Sequence, residues 1–267
     1  MRRTDPGKGE ERMKKIFTVF FAALMIACLA PSAAAAETQA AGVKNGWVTE
    51  KKDMYYYKNE KPVKGWKKID KKWYYFDKKS KVLVCDTIAG SKKNNCYYVD
   101  EAGVRVTDKT IKAAVKFVRK HTKASDSPKK KLLACYDYFT DKCYYVNHGY
   151  KLKKSQLPEY GRQFLLSDRG NCFMGSAAMC YCAKVLGFKT RLGVGNSFMG
   201  PTAHGWAEVK IGKKWYLFDI NRTRWFKGKN YRMVTYEKYP VKLVRKYCYN
   251  LKVKNGKVSW KKGKFVD

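Results

Sequence analysis

The stretch that decides the fold runs from residue 170 to residue 187, GNCFMGSAAMCYCAKVLG, and is completed by residues 203–219, AHGWAEVKIGKKWYLFD. The first block is small and apolar, which predicts a buried helix that begins at Cys172. The second block alternates apolar residues around a two-residue turn at Gly212 and Lys213, which predicts an antiparallel hairpin. Helices followed by an antiparallel sheet indicate an α+β fold.

Three side chains in these blocks have the chemistry of a thiol acyl-transfer site. Cys172 lies at a helix N-terminus, where the positive end of the helix dipole favours the thiolate. His204 begins the first strand of the hairpin and Asp219 ends the second. An imidazole beside the thiol completes its activation, and a carboxylate orients the imidazole. A catalytic set of Cys172, His204 and Asp219 is therefore predicted.

The register of the hairpin tests whether His204 and Asp219 can meet. A turn at Gly212 and Lys213 pairs Ile211 with Lys214, so the residue numbers of any two facing residues sum to 425. His204 then faces Asn221, and Asp219 lies two residues along the same face, roughly 7–8 Å away at Cα. Asn221 is thus a second candidate for orienting the ring. The opposite face is the expected core face and carries Ala207, Val209, Ile211, Tyr216 and Phe218.

These motifs resemble those of the transglutaminase-like superfamily, whose core is papain-like. The cysteine block is Gly-x-Cys followed by a helix that ends at Leu-Gly. The histidine block, His-x-Trp-x-x-Val, matches His204, Trp206 and Val209, and the aspartate block, Trp-x-x-x-Asp, matches Trp215 and Asp219. This sequence departs from the family after the aspartate, where Ile-Asn replaces the Pro-Thr of many members.

The resemblance implies a papain-like core over residues 108–267 and an acyl transfer from a peptide carboxamide or amide bond. Transamidation, deamidation and proteolysis are all open at this stage. Trp206 would shield the site or belong to the core. Gln163 is the one candidate for an oxyanion-hole side chain upstream of the cysteine, and its nine-residue offset has no physical basis. No cofactor and no metal-binding motif is expected from the sequence.

Residues 46–107 contain an internal repeat. Gly-Trp occurs at 46–47 and 65–66, and an aromatic triplet occurs at 55–57 and 74–76, both with an offset of nineteen residues. A shared offset for two separate motifs indicates true repeat units, and each unit is typical of a β-hairpin. About three units are expected.

The repeats resemble the cell-wall-binding repeats of Gram-positive surface proteins, called choline-binding in some members. In those members aromatic side chains of adjacent units enclose a choline group through cation–π contacts. The corresponding positions here are Trp47, Trp66, Trp73 and Tyr75. The alternative is that these aromatic side chains form only the core of the hairpins.

The third repeat unit has cysteine where the earlier units have tryptophan, at Cys85 and at Cys96. We expect either a disulfide between Cys85 and Cys96, which can form if the protein is exported to an oxidising environment, or two buried thiols.

Residues 1–36 predict an N-terminal extension and a secretory signal. Met13 is the expected start, because two lysines, an apolar run over residues 16–30 and an alanine-rich segment ending at Ala36 follow it. The apolar run is too short to span a bilayer comfortably. The expected domains are therefore 1–36 as leader, 37–107 as repeat module and 108–267 as catalytic domain, in a secreted, wall-associated protein.

The chain has 58 basic and 22 acidic residues, a formal net charge of +36. Such a charge bears on partners and solubility rather than on fold. The export signal disfavours nucleic acid, so an anionic wall polymer (teichoic acid or peptidoglycan, with or without choline) or an anionic membrane face is the expected partner beside a peptide substrate. The lysines alternatively only solvate the surface. A catalytically inactive wall-binding or adhesion protein is the rival to the enzyme.

Overall fold

The computed structural model describes residues 45–91, 95–146, 152–197, 203–226, 228–229 and 231–265. The predicted leader over residues 1–36 lies outside these residues. Within the described part, no helix is long and apolar enough to cross a membrane.

Residues 46–99 fold into short antiparallel hairpins. The first sheet pairs Trp47 with Tyr56, and the second pairs Trp66 with Tyr75, nineteen residues further along in each strand. The third hairpin is shorter and more widely spaced. The strands are β1 (Gly46–Glu50), β2 (Asp53–Lys58), β3 (Lys61–Pro62), β4 (Gly65–Ile69), β5 (Lys72–Phe76), β6 (Thr87–Ala89) and β7 (Tyr97–Val99).

Three α-helices precede the thiol in the described residues, and the first two begin at ordinary N-caps. Asp108 accepts hydrogen bonds from the backbone N–H groups of Thr110 and Ile111, and Ser127 caps the next helix ahead of a first-turn proline. These helices are α1 (Lys109–His121), α2 (Pro128–Lys142) and α3 (Leu157–Ser167). Two short parallel strands, β8 (Tyr144–Tyr145) and β9 (Arg169–Gly170), lead to α4 (Cys172–Val185).

Helix α4 is the centre of the fold, because every one of its residues is buried. It packs against one face of a six-stranded antiparallel sheet in the order β13-β12-β11-β10-β14-β15. Gly205 permits this approach, since a Cβ there would lie 2.5 Å from the ring of Phe173. The strands are β10 (Lys189–Ser197), β11 (Ala203–Ile211), β12 (Lys214–Phe218), β13 (Arg232–Val234), β14 (Leu243–Lys254) and β15 (Lys257–Gly263).

The predicted hairpin register is correct from Ile211–Lys214 to Ala207–Phe218. It stops there, because Asp219 leaves the strand and caps helix α5 (Ile220–Trp225). Asn221 therefore lies in the first turn of a helix and does not face His204 across the sheet. The prediction that Asn221 occupies a cross-strand position is wrong for this reason.

Both faces of the β11–β12 hairpin are buried. The predicted core face packs on α4, and the face that carries His204 has a second, smaller cluster made of Trp206, Leu217, Tyr231, Val234 and Tyr239. The imidazole therefore lies at the edge of an apolar cluster and not on an open sheet surface.

The third hairpin is fused to the helical core. Tyr98 and Val106 are fully buried in the same cluster as α4. Asp86 pairs with Lys184 of α4 at 2.9 Å, and the Gly256 N–H donates to Asp100 at 2.8 Å. The third hairpin also packs on the second hairpin, where Tyr75, Ala89 and Val99 form one cluster. The domain boundary at residue 107 stays a prediction.

The predicted disulfide between Cys85 and Cys96 is not formed; both residues are half-buried thiols. The register of β6 and β7 explains this. Extended by one residue pair, it places Cys96 beside Gly90. Gly90 lies five residues further along the chain than Cys85, so the two cysteines do not face each other. Cys85 packs on the first hairpins and Cys96 on the helical core. A disulfide needs Cα atoms within about 7 Å of each other.

Candidate active site

The thiol of Cys172 lies at the first position of α4, as the sequence predicts. The Asn171 carboxamide oxygen accepts from the N–H groups of Phe173 and Met174, both at 3.1 Å, which fixes the start of the helix one residue before the thiol. Cys172 is 6 % exposed. The helix dipole therefore acts on a thiol that is largely withdrawn from water.

His204 and Asp219 meet through a hydrogen bond of 2.6 Å between Nε2 and Oδ2. Both side chains are buried. Since Nε2 is engaged with the carboxylate, Nδ1 is the ring nitrogen that remains for the thiol. His204 and Asp219 thus meet as the register argument predicts, although Asp219 reaches the ring from a helix cap.

The charges of the pair reinforce each other. Burial lowers the pKa of His204, but the charge and hydrogen bond of Asp219, together with a hydrogen bond and charge interaction with Cys172, outweigh it and raise the pKa to about 10. Burial raises the pKa of Asp219, and the interactions with His204, Tyr239 and the Arg222 N–H lower it overall. The favoured state at neutral pH is an imidazolium beside a carboxylate.

Tyr239 is a residue of this candidate site that the sequence does not reveal. Its hydroxyl donates to Oδ2 of Asp219 at 2.6 Å, the same oxygen that binds His204. The Arg222 N–H donates to Oδ1 at 2.9 Å. The carboxylate is therefore held on both oxygens. Tyr239 lies twenty residues beyond Asp219 with no motif around it, so only tertiary structure brings it here.

Tyr136 of α2 holds the backbone of the same residue. Its hydroxyl donates to the Asp219 carbonyl at 3.0 Å and lies 2.5 Å from the Thr223 hydroxyl. This buried contact ties α5 to the helical layer, so the position of the carboxylate depends on both halves of the domain.

Trp206 belongs to the core and also flanks the imidazole. It is fully buried, and its ring centroid lies 6.1 Å from that of His204. Its Nε1–H donates to Glu208 at 2.8 Å, and Glu208 in turn pairs with Arg191 at 2.8 Å. The two alternatives for Trp206, shield and core, therefore coincide.

A narrow cavity adjoins the thiol between α4, α5 and strand β8. The Oδ1 atom of Asn221 and the Nη1 atom of Arg224 are buried there and have no hydrogen-bond partner within the described part of the chain. Gln163 does not line this cavity. It is exposed on α3 and borders a separate depression, so the expectation of an oxyanion-hole role for Gln163 is wrong.

The aromatic positions of the repeats have two different environments. Trp47 packs edge-on against Tyr56 and Tyr74 in the hairpin core. Tyr75 is buried against Trp66 at a centroid distance of 5.1 Å. These contacts are those of a hydrophobic core rather than of an open ligand cage.

Trp66 and Trp73, in contrast, surround a cation that belongs to the chain itself. The Arg105 guanidinium lies 5.9 Å from the ring centroid of Trp66, 5.0 Å from Trp73 and 4.8 Å from Tyr97. A guanidinium over three aromatic faces satisfies the same cation–π attraction that would hold a quaternary ammonium group. The space expected for choline between these rings is thus occupied by Arg105.

Replacement of Arg105 by Ala should open this aromatic cage. We expect choline to leave the tryptophan fluorescence of the original chain unchanged and to quench it in Arg105→Ala with a dissociation constant in the millimolar range, since cation–π contacts of about 1 kcal/mol with each of the three rings sum to roughly that affinity. Adding Trp66→Ala to Arg105→Ala should abolish the quenching. Equal quenching in the original chain and in Arg105→Ala would show that Arg105 does not fill the site.

Among the described residues, no group of three or more His, Cys, Asp and Glu side chains could hold a metal ion.

Residues 115–220 match the model of the Transglutaminase-like superfamily. The match begins within α1 and ends directly after Asp219, so it contains the thiol, the imidazole and the carboxylate. This part of the chain is a transglutaminase-like domain with helices and an antiparallel sheet. The comparison with curated proteins found no match.

Several solved structures are similar to part of this chain at low identity. A predicted cysteine protease from Cytophaga hutchinsonii is 19 % identical with a TM-score of 0.38, over 52 % of this chain and 43 % of that one. The periplasmic domain of TgpA from Pseudomonas aeruginosa is 16 % identical with a TM-score of 0.30, over 44 % and 43 %. The arylamine N-acetyltransferase from Mycobacterium abscessus is 18 % identical with a TM-score of 0.32, over 57 % and 56 %. This chain spans about half the length of each of them.

Proposed function

We propose that this chain is an exported, wall-associated enzyme that transfers an acyl group from a peptide carboxamide or amide bond through Cys172, His204 and Asp219. The observation that carries the proposal is the 2.6 Å bond from the His204 Nε2 to Asp219, made by an imidazole that also interacts with the Cys172 thiol at a helix N-terminus. Each member then has the partner that thiol catalysis requires.

The geometry supports a two-stage reaction. The Cys172 thiolate attacks the carbonyl carbon, and a carbon–sulfur bond forms as the carbon–nitrogen bond breaks. His204 gives its proton to the leaving ammonia or amine, which leaves a thioester and a neutral imidazole. The imidazole next takes a proton from an incoming amine or water, the carbon–sulfur bond breaks, and the thiolate–imidazolium pair is restored.

Asp219 keeps the ring in place throughout and stabilises the imidazolium without taking its proton. Burial of the pair in the apolar cluster around Trp206 strengthens this interaction, because few water dipoles compete with it. The N-terminal end of α4 favours negative charge beside the reacting carbon.

Incubation with a glutamine-containing peptide and a primary amine tests the proposal. Mass analysis distinguishes three products: amine incorporation with loss of ammonia, conversion of glutamine to glutamate, and cleavage of the backbone. Any one of them, lost in Cys172→Ala, supports acyl transfer. The absence of all three products with a range of wall-derived and protein peptides would count against the proposal.

A second candidate is a catalytically inactive wall-binding or adhesion protein. The observation that favours it is the limited access to the thiol, which is 6 % exposed beside a narrow cavity. Alkylation by iodoacetamide at neutral pH separates the two functions. Selective modification of Cys172 ahead of the other seven thiols of the described residues supports the enzyme, whereas equal, slow modification supports the binding protein.

The pH dependence of activity should have a late alkaline limb. The imidazolium of His204 is present below its raised pKa of about 10 and is lost as the pH rises through that value, compared with 6.5 for an unperturbed histidine. We therefore expect kcat/KM to remain high well above pH 7 and to fall near pH 10. An alkaline limb near pH 6.5 would contradict the charge state.

The same pH window applies to the free energy of unfolding. The contribution of His204 to stability is complete below pH 6.5 and is lost as the pH rises through about 10.

A further inference from the structure

The outer face of the six-stranded sheet carries lysines at directly facing positions of neighbouring strands. Lys189 pairs with Lys210 across β10 and β11, and Lys254 pairs with Lys257 across β14 and β15. On the other side of β10, Arg191 pairs with Asn250 of β14. Two residues further along each strand, the same register places Lys252 opposite Lys189. Like charges at facing positions destabilise a sheet, so stability alone does not explain this arrangement.

No carboxylate of the described residues forms an ion pair with these lysines. In the ranges that the structure describes, none of Lys189, Lys210 and Lys252 forms a salt bridge, and neither do Lys254 and Lys261. The acids that line the adjoining cavity are already engaged: Asp100 accepts from backbone N–H groups, and Glu101 lies 3.5 Å from Lys184.

A cavity of about 360 Å³ opens at one end of this face. Neighbouring strands lie about 4.8 Å apart, and alternate residues of one strand about 6.6 Å apart, so the surface presents positive charges at regular short intervals. The cavity is lined by Lys184, Lys189, Lys252, Lys254 and Lys261 together with Thr190, Asn250 and Ser259, and by Asp100 and Glu101.

The residue types indicate which anion fits. Lysine presents a point charge that suits phosphate, whereas planar carboxylates are held best by the paired donors of arginine. Trp215 is the aromatic side chain in the lining, and the Arg191 guanidinium covers its ring at 4.1 Å. A surface without a free stacking platform is poorly suited to nucleic-acid bases.

We propose that this face, the lysine surface defined by Lys189, Lys210, Lys252, Lys254 and Lys261, binds a linear phosphate-bearing polymer that has no aromatic groups. The proposal does not depend on the acyl-transfer reaction. Lys210 lies six residues from His204 on the same strand and the same face, roughly 20 Å away. A polymer bound here would keep the candidate active site close to any peptide substrate that is attached to the same surface as the polymer.

Binding of a fluorescent glycerol phosphate oligomer to the full chain tests the proposal. We expect Lys189→Gln with Lys252→Gln to weaken binding about 10- to 30-fold, since each lysine near an anionic surface contributes about 1 kcal/mol. The slope of log K against log salt should fall by about one to two. The matched control is Lys112→Gln with Lys116→Gln, two exposed lysines of α1, which should change the affinity less than twofold.

Three results would overturn the assignment: equal losses in the two double variants, tighter binding of an oligothymidylate than of the glycerol phosphate oligomer, or equally tight and equally lysine-dependent binding of polyglutamate.

If the double variant fails to fold, the single variant Lys189→Gln tests the proposal. This variant should raise the melting temperature by about 1–3 °C without polymer, because the repulsion with Lys210 is removed. It should also weaken polymer binding at least threefold, and an unchanged affinity would count against the proposal. Loss of peptide turnover with polymer binding intact would contradict the acyl-transfer function alone.

Discussion

Replacement of Cys172 by Ala should lower turnover at least about 10⁴-fold and leave the fold intact. The magnitude follows from removal of the nucleophile, since the loss of one member of a covalent catalytic set costs nearly as much as the loss of all. The fold survives because the side chain at the start of α4 is replaced by a smaller one, while the Asn171 cap on Phe173 and Met174 remains. Steady-state kinetics with the responsive peptide, together with thermal melting, measures both outcomes.

The matched control is Cys180→Ala on the same helix. Cys180 is fully buried, and burial raises the pKa of its thiol to about 12, so it is neutral and unreactive at neutral pH. We expect most activity to remain and the melting temperature to fall modestly. Full activity in Cys172→Ala, or loss of activity in Cys180→Ala without loss of stability, would place the nucleophile elsewhere.

Local sequence predicts the parts of the site that local rules control. The start of α4 and the pairing of β11 with β12 follow from the small, apolar run after Cys172, from turn length and from side-chain alternation. These features need information from only a few neighbouring residues, and the structure confirms each of them.

The register argument fails at Asp219, where two local rules compete. Alternation continues the strand, whereas an aspartate ahead of a short polar segment favours a helix cap. The cap prevails because the Asp219 carboxylate accepts the Arg222 N–H and its carbonyl accepts the Tyr136 hydroxyl. Asp219 contacts His204 from the helix cap, so the predicted contact is present although the strand assignment beyond it is wrong.

The remaining features depend on contacts between distant segments. Arg105 enters the aromatic cage of Trp66 and Trp73 from the end of the third hairpin, and Tyr239 reaches Asp219 from a turn beyond β13. Neither residue lies in a recognisable motif. The fusion of the third hairpin with the helical core has the same origin, because the burial of Tyr98 and Val106 depends on α4 packing far along the chain.

Replacement of Asp219 by Asn should lower kcat/KM by about 10- to 10⁴-fold, if the serine triad is a guide to the upper value. The amide keeps the size of the side chain but loses the charge that raises the pKa of His204. Burial then dominates, and the pKa of the imidazole falls. We therefore expect the alkaline limb of the pH profile to move from near pH 10 to lower pH, a shift that a merely structural role would not produce.

Tyr239→Phe separates the positioning of the carboxylate from its charge. The Tyr239 hydroxyl stabilises the ionised form of Asp219 and is one cause of its lowered pKa. Without it, Asp219 takes up a proton at a higher pH, so the acid limb of kcat/KM should move upward. The rate at neutral pH should fall about 10- to 150-fold, the equivalent of the roughly 1.5–3 kcal/mol of one hydrogen bond to a charged group.

Asn221→Ala is the control for these two variants, because Asn221 borders the cavity from α5 but makes no described contact with His204. We expect it to cost less than Asp219→Ala and to leave both pH limbs in place. If Asn221→Ala cost more, or if Tyr239→Phe left the acid limb unmoved, the ring would be oriented by a different residue from Asp219. The 2.6 Å contact between the His204 Nε2 and Asp219 would then be a feature of the buried core without a part in the reaction.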